Sequence, residues 1–187
     1  LRIISGERKG TRLFSLKKRK IRPTSDKVKG AIFNILSSVE DKKVLDLFAG
    51  SGALGIEALS RGAQEVGFVD DSSSSLNLIR KNLAKLGFEE KSRLIKKDVL
   101  RFLNTEFEQR FDLILADPPY GKGLCQKVLE ILSGKEILNP DGVLVIEHHK
   151  KEKIEKMENF ILLKERRYGD TVVSFFRKKI DNEKEIL

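Results

Sequence analysis

The sequence predicts an α/β protein: a mainly parallel sheet with helices on both faces, closed by an antiparallel hairpin. Three observations predict it. From residue 44 onward, short apolar runs alternate with stretches of helical periodicity, the pattern of a parallel sheet covered on both sides. The first run, Val44-Leu45-Asp46-Leu47-Phe48, leads into glycines that open a helical stretch. The last two apolar runs are joined only by Tyr168-Gly169-Asp170, which signals a hairpin rather than a crossover.

The elements follow in order. Residues 2–4 and 11–14, around Gly6 and Gly10, read as a small hairpin. Pro23 stops regular structure, and Thr24, Ser25 or Asp26 can cap the helix behind it. Val28, Ala31, Ile32, Ile35, Leu36 and Val39 recur at helical spacing, so this helix should reach Val39 and pack its apolar face on the body. Strands are expected at 44–48, 66–69, 93–95, 111–116 and 143–146, with helices at 53–60, 74–86, 99–103 and 122–132 between them. The serines at 72–75 suit the capping of the second of these helices. Residues 160–167 and 171–176 form the closing hairpin, and the polar residues 178–187 should fray.

At 187 residues the chain suits one domain, a body with a small appendage, and needs no covalent staples to bury a core. Cys125 is the single cysteine, which excludes a disulfide scaffold and a paired-cysteine metal knuckle. His148 and His149 are adjacent and lack further ligands in sequence, so no metal is expected. No stretch approaches the roughly 20 apolar residues of a membrane span, and the N-terminus has no signal-peptide core. A cytoplasmic protein without a membrane partner is the expectation. The charge is uneven. Residues 1–29 hold eleven basic and two acidic groups, whereas the remaining residues hold 26 of each, so the whole net charge of +9 lies in the first segment. A neutral body with a basic arm suits a polyanionic partner, although a run of solvated charges would serve solubility alone.

Gly50-Ser51-Gly52-Ala53-Leu54-Gly55 matches a Gly-x-Gly-x-x-Gly turn in the strand-to-helix context that motif requires. Asp70 stands twenty residues after Gly50, at the end of the second strand, where a carboxylate can accept from both hydroxyls of a ribose. A dinucleotide and S-adenosylmethionine both fit such a crevice. Asp46, at the end of the first strand, would repel a pyrophosphate but can help hold an amino-acid ammonium, which favours S-adenosylmethionine. Asp98 can accept from an adenine amino group, or simply cap a helix.

Asp117-Pro118-Pro119-Tyr120 directly follows the fourth strand, at the end where α/β proteins bind ligands. The Asp117 carboxylate and the Pro118 carbonyl are neighbouring acceptors that suit an exocyclic NH2, and Tyr120 offers a face for a base to stack on. The lone pair of a base amine is delocalised into the ring. Accepting its protons favours a pyramidal nitrogen aimed at a methyl group.

Arg22-Pro23-Thr24, Asp26-Lys27-Val28-Lys29, Phe33-Asn34, the run from Leu45 to Gly55, Glu57-Ala58-Leu59-Ser60-Arg61-Gly62-Ala63, Asp117-Pro118-Pro119-Tyr120 and Tyr168-Gly169-Asp170-Thr171 together strongly resemble the RsmD family. The resemblance spans about residues 2–177. These are bacterial methyltransferases acting on a guanine N2 of 16S ribosomal RNA (position 966 in the usual RNA numbering). The resemblance implies a class I S-adenosylmethionine-dependent methyltransferase fold, Rossmann-like, with seven strands and an antiparallel last strand. It implies a cofactor site of Asp46, Gly50, Gly52, Asp70 and Asp98, and a target site of Asp117, Pro118 and Tyr120. Two positions depart from the family: Asp70 and Gly30 each stand where Glu is frequent. The expected organisation is a basic RNA-binding arm over 1–24, a methyltransferase domain over 25–177 and a polar tail over 178–187. Arg8, Lys9, Arg12 and Arg22 are the expected RNA contacts, and deleting residues 1–20 should leave the body folded. The expected partner of this monomer is 16S ribosomal RNA, in the small subunit or an assembly intermediate. An adenine-N6 methyltransferase on DNA or RNA and a non-catalytic assembly factor are the alternatives; a dehydrogenase has no use for Asp-Pro-Pro-Tyr.

Overall fold

Ser25 accepts a hydrogen bond from the Val28 N–H at 3.2 Å and thereby caps α1 (Asp26–Ile35), as one of the three candidate residues was expected to do. The structure, a computed structural model, describes residues 1–15 and 25–179. Arg22, Pro23, Thr24 and the tail beyond Lys179 lie outside the described residues. The first helix is shorter than its apolar spacing suggested. Ser37 takes a φ of 65°, which ends helical geometry, yet Val39 is still buried from the loop beyond. Its spacing reflects packing rather than helix.

Seven strands follow: β1 (Lys43–Leu47), β2 (Glu65–Asp70), β3 (Ser92–Lys96), β4 (Phe111–Ala116), β5 (Leu138–His149), β6 (Phe160–Tyr168) and β7 (Thr171–Lys178). They lie in one sheet in the order β3-β2-β1-β4-β5-β7-β6. The first five run parallel, and β7 is antiparallel to both β5 and β6. The fold expected from the sequence is therefore present, with the closing hairpin inserted so that β7 lies inside β6. β5 is longer than expected because it begins at Leu138, before a register shift against β4.

The apolar runs alternate across the sheet. Val44, Leu113 and Leu115 face a core shared with α1, α2 (Ala53–Ser60) and α3 (Ser73–Leu86). Leu45, Leu47, Ile114 and Ala116 face the other core, with α4 (Val99–Leu103) and α5 (Leu124–Ser133). The chain winds outward from β1 to β3 and then returns to β4 on the opposite side of β1. The loops after β1 and β4 therefore part, and a crevice opens at their carboxyl ends.

The N-terminal segment has the expected hairpin pairing, with Arg2 bridged antiparallel to Arg12. It is fastened to the body. Ile3 and Leu13 are buried in the α1–α3 core, a contribution of about 1.5–3 kcal/mol each. Glu57, on α2 and fully buried, accepts from the Ile4 and Ser5 N–H groups at 2.9 and 3.1 Å. It also pairs with the Arg61 guanidinium at 2.8 Å and with fully buried Lys29 at 3.3 Å. Burial pulls the Lys29 pKa below its usual value, against the pull of Glu57 and Asp26. Asn82 on α3 holds both the N–H and the carbonyl of Phe14. The expectation that the body folds without residues 1–20 meets a cost here, since residues 1–15 are packed into it. Deletion would strip a buried carboxylate of two donors.

Candidate active site

The loop from β1 to α2 makes its turn through three left-handed residues, Phe48 (φ 56°), Gly50 (φ 53°) and Gly52 (φ 75°). The non-glycine at 48 is a strained conformation of the kind that collects at functional sites. The third glycine of the motif serves contact rather than turning: a Cβ on Gly55 would lie 2.3 Å from the Phe68 ring, so glycine lets α2 settle onto β2.

Asp46 points to the α2 side of the sheet, is 2% exposed, and accepts the Gly55 N–H at 2.9 Å. Burial pushes its pKa up to about 8, with the Asp70 charge adding and the Gly55 bond opposing. Asp70 ends β2 and is 9% exposed. One oxygen accepts the Gly50 N–H at 2.8 Å and the other the Ser72 N–H at 2.9 Å, which fixes the carboxylate against the glycine turn. Each oxygen keeps a second lone pair for a ligand hydroxyl. Asp98 is exposed and caps α4 by accepting from the Arg101 N–H at 2.9 Å. The capping role open to Asp98 in the sequence is therefore present.

Asp117 follows β4, and its N–H points to the Leu47 carbonyl at 3.5 Å, which sets the Asp-Pro-Pro-Tyr turn beside the end of β1. Pro118 is buried. Tyr120 is 43% exposed, leaving surface on which a base can stack. Its hydroxyl donates to Glu147 at 3.2 Å and lies 3.3 Å from the Thr171 hydroxyl. Its ring tilts 56° against His149 at 5.6 Å. Burial pushes the phenol pKa up to about 12, and the Glu147 and Asp117 charges add to that. Glu147 and His149 lie at the end of β5, and Thr171 starts β7 opposite His149. Sequence reasoning singles out none of the three as a site residue. Two signals could find them: their place at the carboxyl end of a parallel strand, and the Tyr168-Gly169-Asp170-Thr171 motif.

Three of the four expected RNA contacts, Arg8, Lys9 and Arg12, sit elsewhere; Arg22 lies outside the described residues. Arg8, Lys9 and Arg12 are exposed, and the Arg8 guanidinium lies 5.9 Å above the Phe88 ring. The hairpin turn holds to Ser60, since the Glu7 N–H donates to the Ser60 carbonyl and the Arg8 N–H to its hydroxyl. Ser60 ends α2, whose eight residues span about 12 Å from the glycine turn. Among the described residues, no group of three or more His, Cys, Asp and Glu forms a metal site, and no helix is long and apolar enough to cross a membrane.

A buried carboxyl, a second carboxylate fixed against the glycine turn, and the Asp-Pro-Pro-Tyr turn with its part-exposed ring meet at neighbouring strand ends. On this sheet, such a crevice defines a class I methyltransferase-type fold. Residues 1–177 match the family described as conserved hypothetical protein 95, and the chain belongs to that family, the RsmD family that its motifs resemble. Ribosomal RNA small subunit methyltransferase D of Haemophilus influenzae is 35% identical over 178 residues, covering 94% of this chain and 91% of that one. The solved structure of the Escherichia coli protein yhhF superposes with a TM-score of 0.85 at 28% identity, over 97% of this chain and 99% of that one. A ribosomal protein L11 methylase from Lactobacillus delbrueckii subsp. bulgaricus shares the fold (TM-score 0.68, 24% identity, 82% and 79% covered).

Proposed function

We propose that this protein transfers a methyl group from S-adenosylmethionine to the exocyclic N2 of a guanine in 16S ribosomal RNA. Methyl transfer to ribosomal RNA is the coarser statement, supported by the family and by the name of the Haemophilus relative. One observation carries transfer to an exocyclic base amine: Asp117-Pro118-Pro119-Tyr120 stands at the end of β4, beside the crevice of Asp46 and Asp70. Guanine N2 rather than adenine N6 rests on the family resemblance of the Arg22-Pro23-Thr24 and Tyr168-Gly169-Asp170-Thr171 motifs.

The residues suit that cofactor. Asp46 is buried with its pKa at about 8, and an ammonium beside it favours its ionised form; a pyrophosphate would face the Asp70 carboxylate. Asp70 accepts the ribose hydroxyls, Asp98 reaches an adenine amine with its remaining lone pairs, and Gly50 and Gly52 let the backbone approach. When bound, the cofactor supplies an electrophilic methyl group on a sulfonium sulfur. The protein's part is aim. Tyr120, held by Glu147 and Thr171, stacks the base. Asp117 and the Pro118 carbonyl accept the amine protons, turning the nitrogen lone pair toward the methyl group, and Asp117 holds the proton the product nitrogen releases. The target base leaves its stack or is presented unpaired. Residues 25–177 form the catalytic domain in this reading, and Arg8, Lys9, Arg12 and Arg22 in the basic segment hold the ribose-phosphate chain.

The test is a labelled-methyl assay on small-subunit RNA, large-subunit RNA and DNA. Label in small-subunit RNA, lost in Asp117→Ala while S-adenosylmethionine still binds, is the expected result. Label confined to large-subunit RNA or to DNA would overturn the substrate assignment.

A further inference from the structure

Glu152 has no part in the function so far. It lies in the turn behind β5, with its N–H bonded to the His149 carbonyl at 2.8 Å. With Tyr120, Gly121, Gly123, His149 and Lys151 it lines a recess of about 450 Å³ beside the Asp-Pro-Pro-Tyr turn. Both of its carboxylate oxygens are buried, and among the described residues neither has a partner in good hydrogen-bond geometry; the one donor set against it is the Cys125 thiol. The buried Cys125 thiol beside it is only a weak donor; burial and the Glu152 charge both push that thiol's pKa up. A buried carboxylate with no more than one weak donor is costly and is kept where something supplies stronger ones.

We infer that Glu152 reads the base: its carboxylate accepts from the N1–H of the target guanine while the adjacent 2-amino group lies on Asp117 and the Pro118 carbonyl. The inference rests on the guanine reading above and explains how guanine would be chosen. In guanine, the ring nitrogen beside the exocyclic amine carries a proton. In adenine, the ring nitrogen beside the exocyclic amine offers only a lone pair, which would face a carboxylate. A site built around a specific hydrogen bond rejects the analogue that cannot make it far more strongly than a shape-fitting apolar site does. In the free protein the carboxylate is covered, so it engages by turning from the wall into the recess, exchanging an unmet acceptor for a charge-assisted bond.

The test uses RNA oligonucleotides of the target region with guanine or 2-aminopurine at the modified position. The analogue keeps the 2-amino group but makes N1 an acceptor. Single-turnover methylation by the wild-type protein should be slower on 2-aminopurine by about tenfold or more. Glu152→Gln, nearly isosteric and able to donate an amide proton to N1, should shrink that ratio by about tenfold or reverse it, with S-adenosylmethionine affinity unchanged. A ratio equal in wild type and variant overturns the inference whatever the absolute rates. If the variant does not fold, equal wild-type rates on the two oligonucleotides overturn it by themselves. A wild-type protein that methylates adenine N6 and neither oligonucleotide defeats the guanine reading itself. A guanine-active protein indifferent to N1 defeats only the role of Glu152.

Discussion

Asp46 shows what one buried carboxyl can set. With a folded pKa of about 8 against an ordinary 3.8, it keeps its proton over a range in which the unfolded chain has released it. The unfolded state then binds fewer protons, so this group lowers stability as pH rises between those two values, and the loss is complete above about 8. Asp46→Asn keeps an acceptor for Gly55 and removes that loss. Without cofactor, the variant's melting temperature relative to wild type should rise from about pH 5 to about pH 8, while it binds S-adenosylmethionine more weakly. A constant difference would contradict the burial argument. Asp70 and Tyr120 should separate the two halves of the site. Asp70→Ala should weaken cofactor binding by about 1–3 kcal/mol, read by calorimetry. Tyr120→Ala should leave that affinity nearly unchanged and lower single-turnover rates on RNA by at least the roughly 1–3 kcal/mol that a stacked base is worth. The positions of Asp46, Asp70 and Asp117 were legible because strand ends and glycines mark the crevice. Their partners were not, since Asp46–Gly55 depends on which way a strand side chain points, and Tyr120–Glu147–Thr171 on a register between β5 and β7 that no local pattern encodes.

Among the elements, the strand and helix runs were legible because both faces of the sheet are covered and the apolar runs end in glycine, serine or proline. Local patterning misled where burial comes from outside a helix, as at Val39, and where positive φ ends a strand early, as at Phe48. It also missed the role of the buried charges. Lys29 reads as part of a basic run and Glu57 as a polar residue of an apolar helix, yet together they join α1, α2 and the hairpin. Breaking that cluster from one side leaves Lys29 buried without its nearest carboxylate. Glu57→Ala should cost about 3–5 kcal/mol in chemical denaturation, against under about 1 kcal/mol for an exposed pair such as Arg110–Glu136. The Gly30 departure is benign in packing: a Cβ there would meet only Ile4, at 3.8 Å.

Across the whole molecule, a basic segment that carries all the net charge is also part of the core. Composition revealed the charge but not the fastening, because burial of Ile3 and Leu13 depends on α1 and α3 meeting the hairpin. RNA binding must therefore be tested with substitutions that spare the hairpin. Arg8, Lys9 and Arg12 changed together to Gln should flatten the log–log salt dependence of RNA affinity by roughly 0.7 for each phosphate no longer neutralised, with melting temperature nearly unchanged. An unchanged slope would mean that these exposed charges serve solubility only. The central claim, transfer to a guanine amine, has a more direct test: mass spectrometry of the nucleosides in small-subunit RNA after incubation with the protein and isotope-labelled S-adenosylmethionine. Labelled N2-methylguanosine is the expected result; labelled N6-methyladenosine, or no label from folded protein that binds the cofactor, would contradict transfer to a guanine amine.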